Sequence, residues 1–472
     1  MRASLAELPP PPAQSQSGGP PPVEALLDLA GQCLDSGRLK EAENLLDQIL
    51  WVAPDAAQAL NLKGILLFRT NRNEAAAALM ERAVELAPRA VAFQRNLCPI
   101  YERIGRYDDA LRVGRQVLAA DRFDLQTLHN VALVHYRRLE LDESIAFARR
   151  ALDIDPSLPG PHLQLAEALL LKGEFAEGWD EYEWRFRTGG GTLPLPANDR
   201  PQWNGAALAG KTLLLVADQG YGDCIQFCRY ISWARERCAD LVVAADRILH
   251  PLIGQVCPDA RLVERWDGCP PFAAYCPLSG LPRLHRTELA TIPAPVSYLK
   301  ADPERVAMWR ARLDQLSPPN ARRVGIVWAG RPTHNNDANR SVGLAFFHGL
   351  AALERVVLIS LQKDAGQAAI GGYFGRAPLL NLGAAIAGFA DTAAVIETLD
   401  LVVTVDTAVA HLAGAMGKPV WIILPYAPDW RWLLDRHDSP WYPTARLFRQ
   451  PRPGNWDTVA RRIADRLSSM LD

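Results

Sequence analysis

The chain has 472 residues, a formal net charge of −2 and 22% charged residues. This length allows two to four domains, each with its own core. The small net charge does not favour nucleic acid or an anionic membrane as a partner, and apolar runs such as residues 420–424 are too short to span a bilayer. The N-terminus lacks the apolar core of a signal peptide, and the eight cysteines are scattered. We therefore expect a cytoplasmic protein with no transmembrane segment and no nucleic-acid partner.

The spacing of the cysteines does not favour a metal site. Cys224 and Cys228 lie one helical turn apart, and Cys269 and Cys276 flank a proline-containing loop. A zinc site needs closer pairs with matching partners, so we interpret these cysteines as small buried residues. No bound metal is expected.

The first part of the chain divides into a tail and a repeat array. Residues 1–22 are mostly Pro, Gly, Ser and Gln, so we expect a disordered, proline-rich tail. From Val23 the sequence repeats with a period of 34, the length of a tetratricopeptide repeat. Prolines close three of the units, and Arg122 takes the place of a fourth; the prolines are Pro54, Pro88 and Pro156.

Two columns of small residues keep the register of this period over five units. The first-helix column is Ala30, Gly64, Cys98, Ala132 and Ala166, and the second-helix column is Ala42, Ala76, Ala110, Ser144 and Gly178. Small side chains are needed where helix axes approach closely. The pattern resembles tetratricopeptide repeat proteins, so residues 23–188 are expected to form about five repeats, stacked into a superhelix with a concave surface.

The fifth unit ends in an aromatic-rich segment, residues 173–187, whose aromatic residues recur at helical spacing. We interpret it as a capping helix that covers the end of the stack, rather than as a ligand site. The glycines and prolines that follow predict a linker over residues 189–210.

From Lys211 short β-rich runs alternate with helical segments, which predicts an α/β fold of parallel sheets with helices on both faces. The predicted strands are 212–217, 241–245, 260–264, 273–278, 323–329, 355–361, 378–382, 401–405, 419–424 and 446–449. The predicted helices include 224–237, 247–256, 303–316 and 456–471. A fresh start near residue 322 predicts two Rossmann-like halves, 211–302 and 303–472, with ligands at the carboxyl ends of the strands.

The loop after the first strand of the α/β region contains Gly220, Gly222 and Asp223. The glycines allow the backbone to approach a ligand closely, and Asp223 lies at the start of a helix. Asp223 is therefore either an N-cap in a glycine-shaped turn or a carboxylate placed to accept a proton from an incoming hydroxyl.

The loop after strand 323–329 is rich in amide and basic groups, including Arg331, Asn335, Asn336 and Arg340. Such donors suit a diphosphate, although a solvated polar loop is the alternative. Gln362 and Lys363 end the next strand on the same edge.

A third loop on that edge follows strand 401–405. Asp406 and Thr407 form a polar turn, and a small-residue helix begins at Ala408. The free N–H groups at this helix start favour an anion such as phosphate. His411 is either part of that site or a histidine packed in the core.

Residues from about 200 to 472 resemble the GT-B glycosyltransferase half of bacterial tetratricopeptide–glycosyltransferase proteins, which are similar to heptosyltransferases and more distantly to protein O-GlcNAc transferases. The resemblance rests on the segments 219–223, 327–330, 340–341, 360–363 and 406–414. It implies that Asp223 is catalytic and that Asp406, Thr407 and Ala408 hold the donor's phosphates. Arg340 and Lys363 are looser matches to the family's basic phosphate contacts. We include Trp328, Asn335, Gln362 and His411 as further candidate donor-site residues.

The expected function is transfer of a sugar from a nucleotide sugar to a hydroxyl of a protein acceptor that the repeats recruit. The resemblance implies inversion at the sugar carbon, no cofactor and no required metal, and it allows flagellin as the acceptor. Two alternatives stay open: a repeat scaffold with an inactive GT-B domain, and transfer to a small or lipid-linked saccharide. The short first half, which has little material to enclose such a saccharide, favours an acceptor site on the repeats.

Overall fold

The structure is a computed structural model that describes residues 22–188, 195–196, 200–333 and 336–471. The predictions for the tail up to residue 21, for Asn335 and for much of the linker before residue 200 lie outside these residues. The chain divides into two compact units, one ending at Val134 and the other beginning at His135. The predicted domain boundaries stay predictions.

Helices follow one another throughout the range 22–188. They are α1 (Val23–Asp35), α2 (Leu39–Val52), α3 (Ala57–Arg69), α4 (Asn73–Leu86), α5 (Val91–Arg103), α6 (Tyr107–Ala120), α7 (Leu125–Arg137), α8 (Leu141–Ile154), α9 (Pro159–Lys172) and α10 (Phe175–Tyr182). The small-residue columns have the packing role expected of them. A Cβ atom on Gly64 would lie 2.5 Å from Met80 Cγ, and Ala42 and Ala76 are fully buried. The helical repeats predicted from the 34-residue period are confirmed.

The rest of the second unit contains two sheets in which every strand pairing is parallel. The four-stranded sheet has the order β3-β2-β1-β4, and the six-stranded sheet has the order β10-β9-β8-β5-β6-β7. The strands are β1 (Leu208–Val216), β2 (Cys238–Ala244), β3 (Arg261–Val263), β4 (Ala274–Pro277), β5 (Arg322–Val327), β6 (Val356–Ser360), β7 (Leu379–Asn381), β8 (Leu401–Val405), β9 (Val420–Leu424) and β10 (Ala445–Arg449). The predicted parallel α/β architecture is confirmed.

The α-helices of this region connect or cover the strands. They are α11 (Tyr221–Phe227), α12 (Ile231–Arg235), α13 (His250–Val256), α14 (Leu281–Leu284), α15 (Pro303–Leu316), α16 (Asp337–Arg340), α17 (His348–Ala351), α18 (Phe389–Glu397), α19 (Ala408–Ala415) and α20 (Trp456–Ser468). Strands β6, β8 and β9 are buried along their whole length, as expected of parallel strands covered on both faces. None of the helices in the described ranges is both long and apolar enough to cross a bilayer.

Two sequence predictions need correction near the first loop. The helix predicted over 224–237 is three pieces: α11, a 3₁₀ turn at Cys228–Tyr230, and α12. Because Gly220 takes the extended conformation of an N-cap, α11 begins earlier, at Tyr221. Asp223 therefore lies inside the first turn, and its interpretation as an N-cap is wrong.

The strand orders place one crevice in each sheet. In the six-stranded sheet the chain leaves β5 towards β6 and β7, then returns to β8 and continues to β9 and β10. The carboxyl ends of β5 and β8 therefore flank a topological switch point, where ligands bind in open parallel sheets. The equivalent point in the four-stranded sheet lies between β1 and β4.

The aromatic residues at the end of the fifth repeat bury against the α/β elements. Trp179 meets Trp430 edge to face with ring centroids 5.2 Å apart, and its Nε1 donates to Thr287 O at 2.9 Å. Phe175 stacks against Trp441, and α9 packs on the 3₁₀ turn Trp430–Trp432. The last repeat is thus joined to the segment that follows β9.

Candidate functional site

Asp223 lies where the loop after β1 turns into α11, with 26% of its side chain exposed. Its Oδ1 accepts a hydrogen bond from Arg431 Nη2. A Cβ atom on Gly220 would lie 3.1 Å from its Oδ2. The two carboxylate oxygens therefore have different surroundings, since one is held by a guanidinium and the other lies over a glycine.

Arg431 is a residue that the sequence reasoning missed. It is buried in the 3₁₀ turn after β9, and its Nη1 donates to both carboxylate oxygens of Asp429, at 2.9 and 3.0 Å. Its Nε donates to Gln226 Oε1 at 2.5 Å, and the guanidinium lies 4.2 Å from the centroid of the Trp430 ring. Burial opposes the charge, but Asp429 and Asp223 hold the pKa of Arg431 above its usual range. The signal available in the sequence is the segment 429–432 after β9, in which an arginine lies between two tryptophans and two positions after an aspartate.

The crevice of the four-stranded sheet contains side chains of the protein itself. Asp218, buried just after β1, accepts hydrogen bonds from the backbone N and the hydroxyl of Ser279, which follows β4. Arg185, from the turn after α10, donates to Ser279 Oγ, and its Nε lies 3.9 Å from Asp218 Oδ2. Burial raises the pKa of Asp218, and the charge of Arg185 opposes that rise. This crevice is closed by an ion-pair network.

The crevice of the six-stranded sheet is flanked by the turn between β8 and α19. Thr407 is the N-cap of α19, and its Oγ1 lies 3.1 Å from Thr404 Oγ1; no side chain of the described residues caps this helix. Thr407 and Ala408 are half-buried. The helix start thus presents backbone N–H groups and a hydroxyl at the switch point, as an anion would require.

Asp406, which directly follows β8, is buried. Burial, together with the negative charge of Asp429, raises the pKa of Asp406 to about 6, whereas Arg340 and Arg431 oppose the rise. Its carboxylate lies 3.8 Å from His411 Nε2. Asp406 therefore connects the turn at the start of α19 with the cluster around Arg431.

His411 lies beneath α19 as a buried histidine. Its Nδ1 is 2.8 Å from Tyr442 Oη, and its ring stacks on Trp432. Burial and the nearby cations, Arg431 first among them, lower the pKa of His411 well below its usual range, so the imidazole is neutral. Of the two readings left open by the sequence, this geometry favours the core histidine.

The glycine loop of the first half meets α19 directly. A Cβ atom on Gly222 would lie 2.8 Å from His411 Cδ2 and 3.5 Å from Ala408 Cα. The absence of a side chain at Gly222 therefore allows α11 and α19 to pack together. This contact brings the first turn of α11, which carries Asp223, to the start of α19.

Trp328 and Gln362 hold the loops after β5 and β6 in place. Gln362 Oε1 accepts from the backbone N of Trp328 at 3.1 Å and of Ala329 at 3.0 Å, and its Nε2 donates to Ala329 O. Trp328 is buried in the core of this half. Both residues thus have a structural role, and their contact with a donor stays a prediction.

The remaining predicted basic residues make local contacts. Arg340 Nε lies 3.5 Å from Asp337 Oδ1, and the side chain is 17% exposed. Lys363 Nζ donates to Ile386 O at 2.5 Å. Asn336 Oδ1 lies 3.5 Å from Arg137 Nη1, so a residue at the end of α7 reaches the loop after β5.

The region built around these strands matches a known enzyme family. The profile of glycosyltransferase family 9 (heptosyltransferase) matches residues 356–428, and the profile of the tetratricopeptide repeat matches residues 33–91 and 97–159. The chain combines tetratricopeptide repeats with a glycosyltransferase family 9 domain. The part of the glycosyltransferase domain that matches runs from β6 to just beyond β9, and it includes the turn Asp406–Thr407 and all of α19.

Similar proteins are known for most of the chain and for its repeats. Protein FlbA of Caulobacter vibrioides is 28% identical over 455 residues, covering 88% of this chain and 73% of that protein. A solved structure of MamA from Desulfovibrio magneticus RS-1, starting at its residue 41, is 19% identical, with a TM-score of 0.32, and covers 35% of this chain and 94% of that one. A solved structure of YrrB, a TPR protein with an unusual peptide-binding site, is 14% identical, with a TM-score of 0.30. The match covers 34% of this chain and 84% of that one.

A further carboxylate of the fifth repeat lies close to the cluster around Arg431. Glu167 is half-buried in α9, the helix that packs on the turn containing Arg431. Burial raises the pKa of Glu167 to about 7; the cations Arg137 and Arg431 oppose this rise, and Asp429 adds to it. Sequence reasoning gave no reason to single out this residue.

The structure thus brings Gly222, next to Asp223 in α11, against Ala408 and His411 of the other half. Asp406 lies beside His411, and Asp223 pairs with Arg431. The charge of Arg340 also acts on Asp406 and His411. Lys363, in the loop after β6, instead donates to the backbone oxygen of Ile386. Among the residues that the structure describes, His, Cys, Asp and Glu side chains form no group of three that could hold a metal ion; metal independence stays a prediction.

Proposed function

We propose that this protein is a GT-B glycosyltransferase that moves a sugar from a nucleotide donor to a hydroxyl of a protein acceptor. The observation that carries the proposal is the contact of α11 with α19. This contact joins the first turn of α11, which carries Asp223, to the start of α19 in the family 9 segment. A proton acceptor and an anion-binding turn, supplied by two parallel sheets, are the two groups that sugar transfer from a phosphate needs.

In the proposed mechanism the donor's phosphates lie at the start of α19. The backbone N–H groups after Thr407 and the hydroxyl of Thr407 hold the phosphate oxygens, and Arg340 adds positive charge nearby. Negative charge grows on the phosphate as its bond to the sugar carbon breaks. Fixed N–H dipoles stabilise that charge most strongly in the transition state, so they take the part that a metal plays in other transferases.

The acceptor reacts on the side of Asp223. Asp223 Oδ2 takes the proton of the acceptor hydroxyl while the hydroxyl oxygen forms the new bond to the sugar carbon. The bond from that carbon to the phosphate oxygen breaks, and the nucleotide leaves with the electron pair. Attack on the face opposite the phosphate inverts the configuration of the carbon.

The acceptor class is proposed from the repeats. Stacked helical repeats form extended concave surfaces that bind other proteins, and the fifth repeat is joined to the glycosyltransferase domain through Trp179 and Trp430. An acceptor held by the fifth repeat would therefore lie close to the turn that contains Trp430 and Arg431. Flagellin, which the sequence resemblance allows, is one acceptor to test, and the cytoplasmic location expected from the sequence belongs to the same proposal.

The test is incubation of the purified protein with labelled nucleotide sugars (UDP-, GDP-, ADP- and CMP-linked) and a cell lysate. We expect label on a protein band with at least one donor. Label found only in lipid or saccharide fractions would replace the protein acceptor with the second alternative. No label with any donor would contradict transferase activity and favour the scaffold. A thermal-shift screen against the corresponding nucleotides identifies the donor's base.

A further inference from the structure

Asp223 and Arg431 come from opposite halves of the glycosyltransferase domain. Asp223 follows β1 of the four-stranded sheet, and Arg431 follows β9 of the six-stranded sheet. The guanidinium binds Oδ1 of the carboxylate, while Oδ2 lies over Gly220. The orientation of Asp223 is therefore set by a residue of the donor half.

Arg431 itself has a fixed position. All three of its nitrogens have partners: Nη2 binds Asp223, Nη1 binds both oxygens of Asp429, and Nε binds Gln226. Because the guanidinium is planar and its donors point in fixed directions, three such contacts define both its place and its plane.

The last repeat covers this arginine. Helix α9 packs on the 3₁₀ turn that contains Arg431, and Trp430 beside it makes edge-to-face contacts with Trp179 and Tyr182 of α10. Tyr182 Oη also lies within 3.3 Å of the amide of Gln219, in the loop that carries Asp223. The arginine is thus held from the repeat side as well as from the sheet side.

We propose that Arg431 is a positioning residue for the transfer: it binds Asp223 through Oδ1 and so directs Oδ2 at the acceptor hydroxyl. The inference rests on the proposed function, and it assigns Arg431 no contact with the donor. Arg431 keeps its proton throughout, and the proton of the acceptor goes to Asp223. Buried ion pairs contribute little net stability, so a role in geometry explains this pair better than a role in folding alone. A displacement of about 1 Å at a reacting group is enough to reduce a rate by about 10².

The first test compares Arg431→Lys with Arg431→Gln. Lysine keeps the positive charge but has a single, point-like donor group, so we expect kcat of Arg431→Lys to fall by about tenfold. For Arg431→Gln, which also loses the charge, we expect kcat to fall by about 10². In both variants the donor KM should change by less than about twofold. A donor KM that rises as much as kcat falls would make Arg431 a donor ligand and overturn the proposal. An unchanged kcat in Arg431→Gln would also overturn it.

A double-mutant cycle distinguishes the proposed positioning role from a merely structural one. If Arg431 acts through Asp223, Arg431→Gln added to Asp223→Asn should reduce kcat by less than about twofold further, whereas additive losses overturn the inference. Gln226→Leu keeps Arg431 and removes one of its three partners; it replaces Arg431→Gln in the cycle if that variant does not fold. Absence of transfer by the wild type overturns the proposed function and this inference together. Wild-type transfer with additive losses overturns the inference alone.

Discussion

The two parallel sheets of the glycosyltransferase domain use their switch points in different ways. Between β1 and β4, buried Arg185 and the bonded pair Asp218–Ser279 occupy the crevice. Between β5 and β8, half-buried Thr407 and Ala408 present a helix start. Sheets with the same parallel topology thus differ in what fills them, because the last repeat inserts a charged side chain into one of them.

This difference explains where the proposed base lies. Asp218 is at the switch point of its sheet but is committed to Ser279 and Arg185, whereas Asp223, five positions later in the sequence, is directed towards the other sheet. We infer that the four-stranded sheet supplies a carboxylate and support, and that the six-stranded sheet supplies the ligand site. The following predictions test this division, in order of decreasing expected effect.

Asp223→Asn should reduce transfer by about 10²–10⁴-fold, because the amide can still accept from Arg431 but cannot take a proton. Donor binding, measured by calorimetry, should be unchanged. Asp240→Asn is the matched control, since Asp240 is exposed on β2 of the same sheet. Turnover equal to that of the wild type would remove Asp223 from the mechanism.

Arg185→Ala should lower the free energy of unfolding by about 3–5 kcal/mol, because it leaves buried Asp218 without its cation and Ser279 without a donor. Chemical denaturation measures the loss. Arg187→Ala is the control: Arg187 is exposed and lies over the ring of Trp184. A small effect of Arg185→Ala, similar to that of the control, would mean that the first crevice is not held closed by this network.

Gly222→Ala should lower the free energy of unfolding by about 1–3 kcal/mol, because its Cβ would meet His411 and force α11 away from α19. Gly220→Ala is the comparison. Its extended backbone conformation suits alanine, and its Cβ would lie beside Asp223 Oδ2. We expect this second variant to lose about tenfold in turnover at nearly wild-type melting temperature. Equal melting temperatures for both variants would contradict the packing role of Gly222.

Thr407→Ala should weaken nucleotide binding by about three- to tenfold, the effect of one lost hydrogen bond to a phosphate. Calorimetry with the nucleoside diphosphate or monophosphate found in the thermal-shift screen measures it. Thr458→Ala, at the start of α20 in the same half, is the control. If Thr407→Ala instead destabilises the fold and leaves nucleotide affinity unchanged, the turn is structural.

Glu167→Gln should change the pH dependence of stability. The folded pKa of Glu167, about 7, lies above its ordinary value of 4.5, so the folded protein binds this proton more tightly than the unfolded chain. The resulting stabilisation is complete below pH 4.5 and is lost as the pH rises through 7. The glutamine side chain has no proton to lose in this pH range, so the stability of Glu167→Gln lacks this pH dependence. The melting temperature of the variant relative to that of the wild type should therefore rise by about 1–3 °C between pH 5 and pH 8. A difference that stays constant with pH would contradict this reading of Glu167.

Much of the architecture could be predicted because it depends on local pattern. The columns that contain Ala42 and Ala76 reveal the repeats, since a helix pair with one close approach needs a small residue at one fixed position. The alternation of strand and helix reveals parallel sheets, because a helix connects each strand to the next parallel one. The same alternation places Asp223 and Thr407 in segments that follow the carboxyl ends of strands, because the end of a strand is visible in the sequence itself. Even there, the start of α11 was predicted three residues too late.

What the sequence by itself determined is therefore the repeats, the parallel sheets and the loops at their carboxyl edges. Only the tertiary structure decided which side chains of those loops contact one another. Asp223 and Arg431 are 208 positions apart in the sequence, and Arg185 and Ser279, which are hydrogen-bonded, are 94 positions apart. The neutral state of His411 depends on burial and on cations from distant segments. Contacts, burial and electrostatic fields are sums over neighbours in space, and no periodicity along the chain records which neighbours those are.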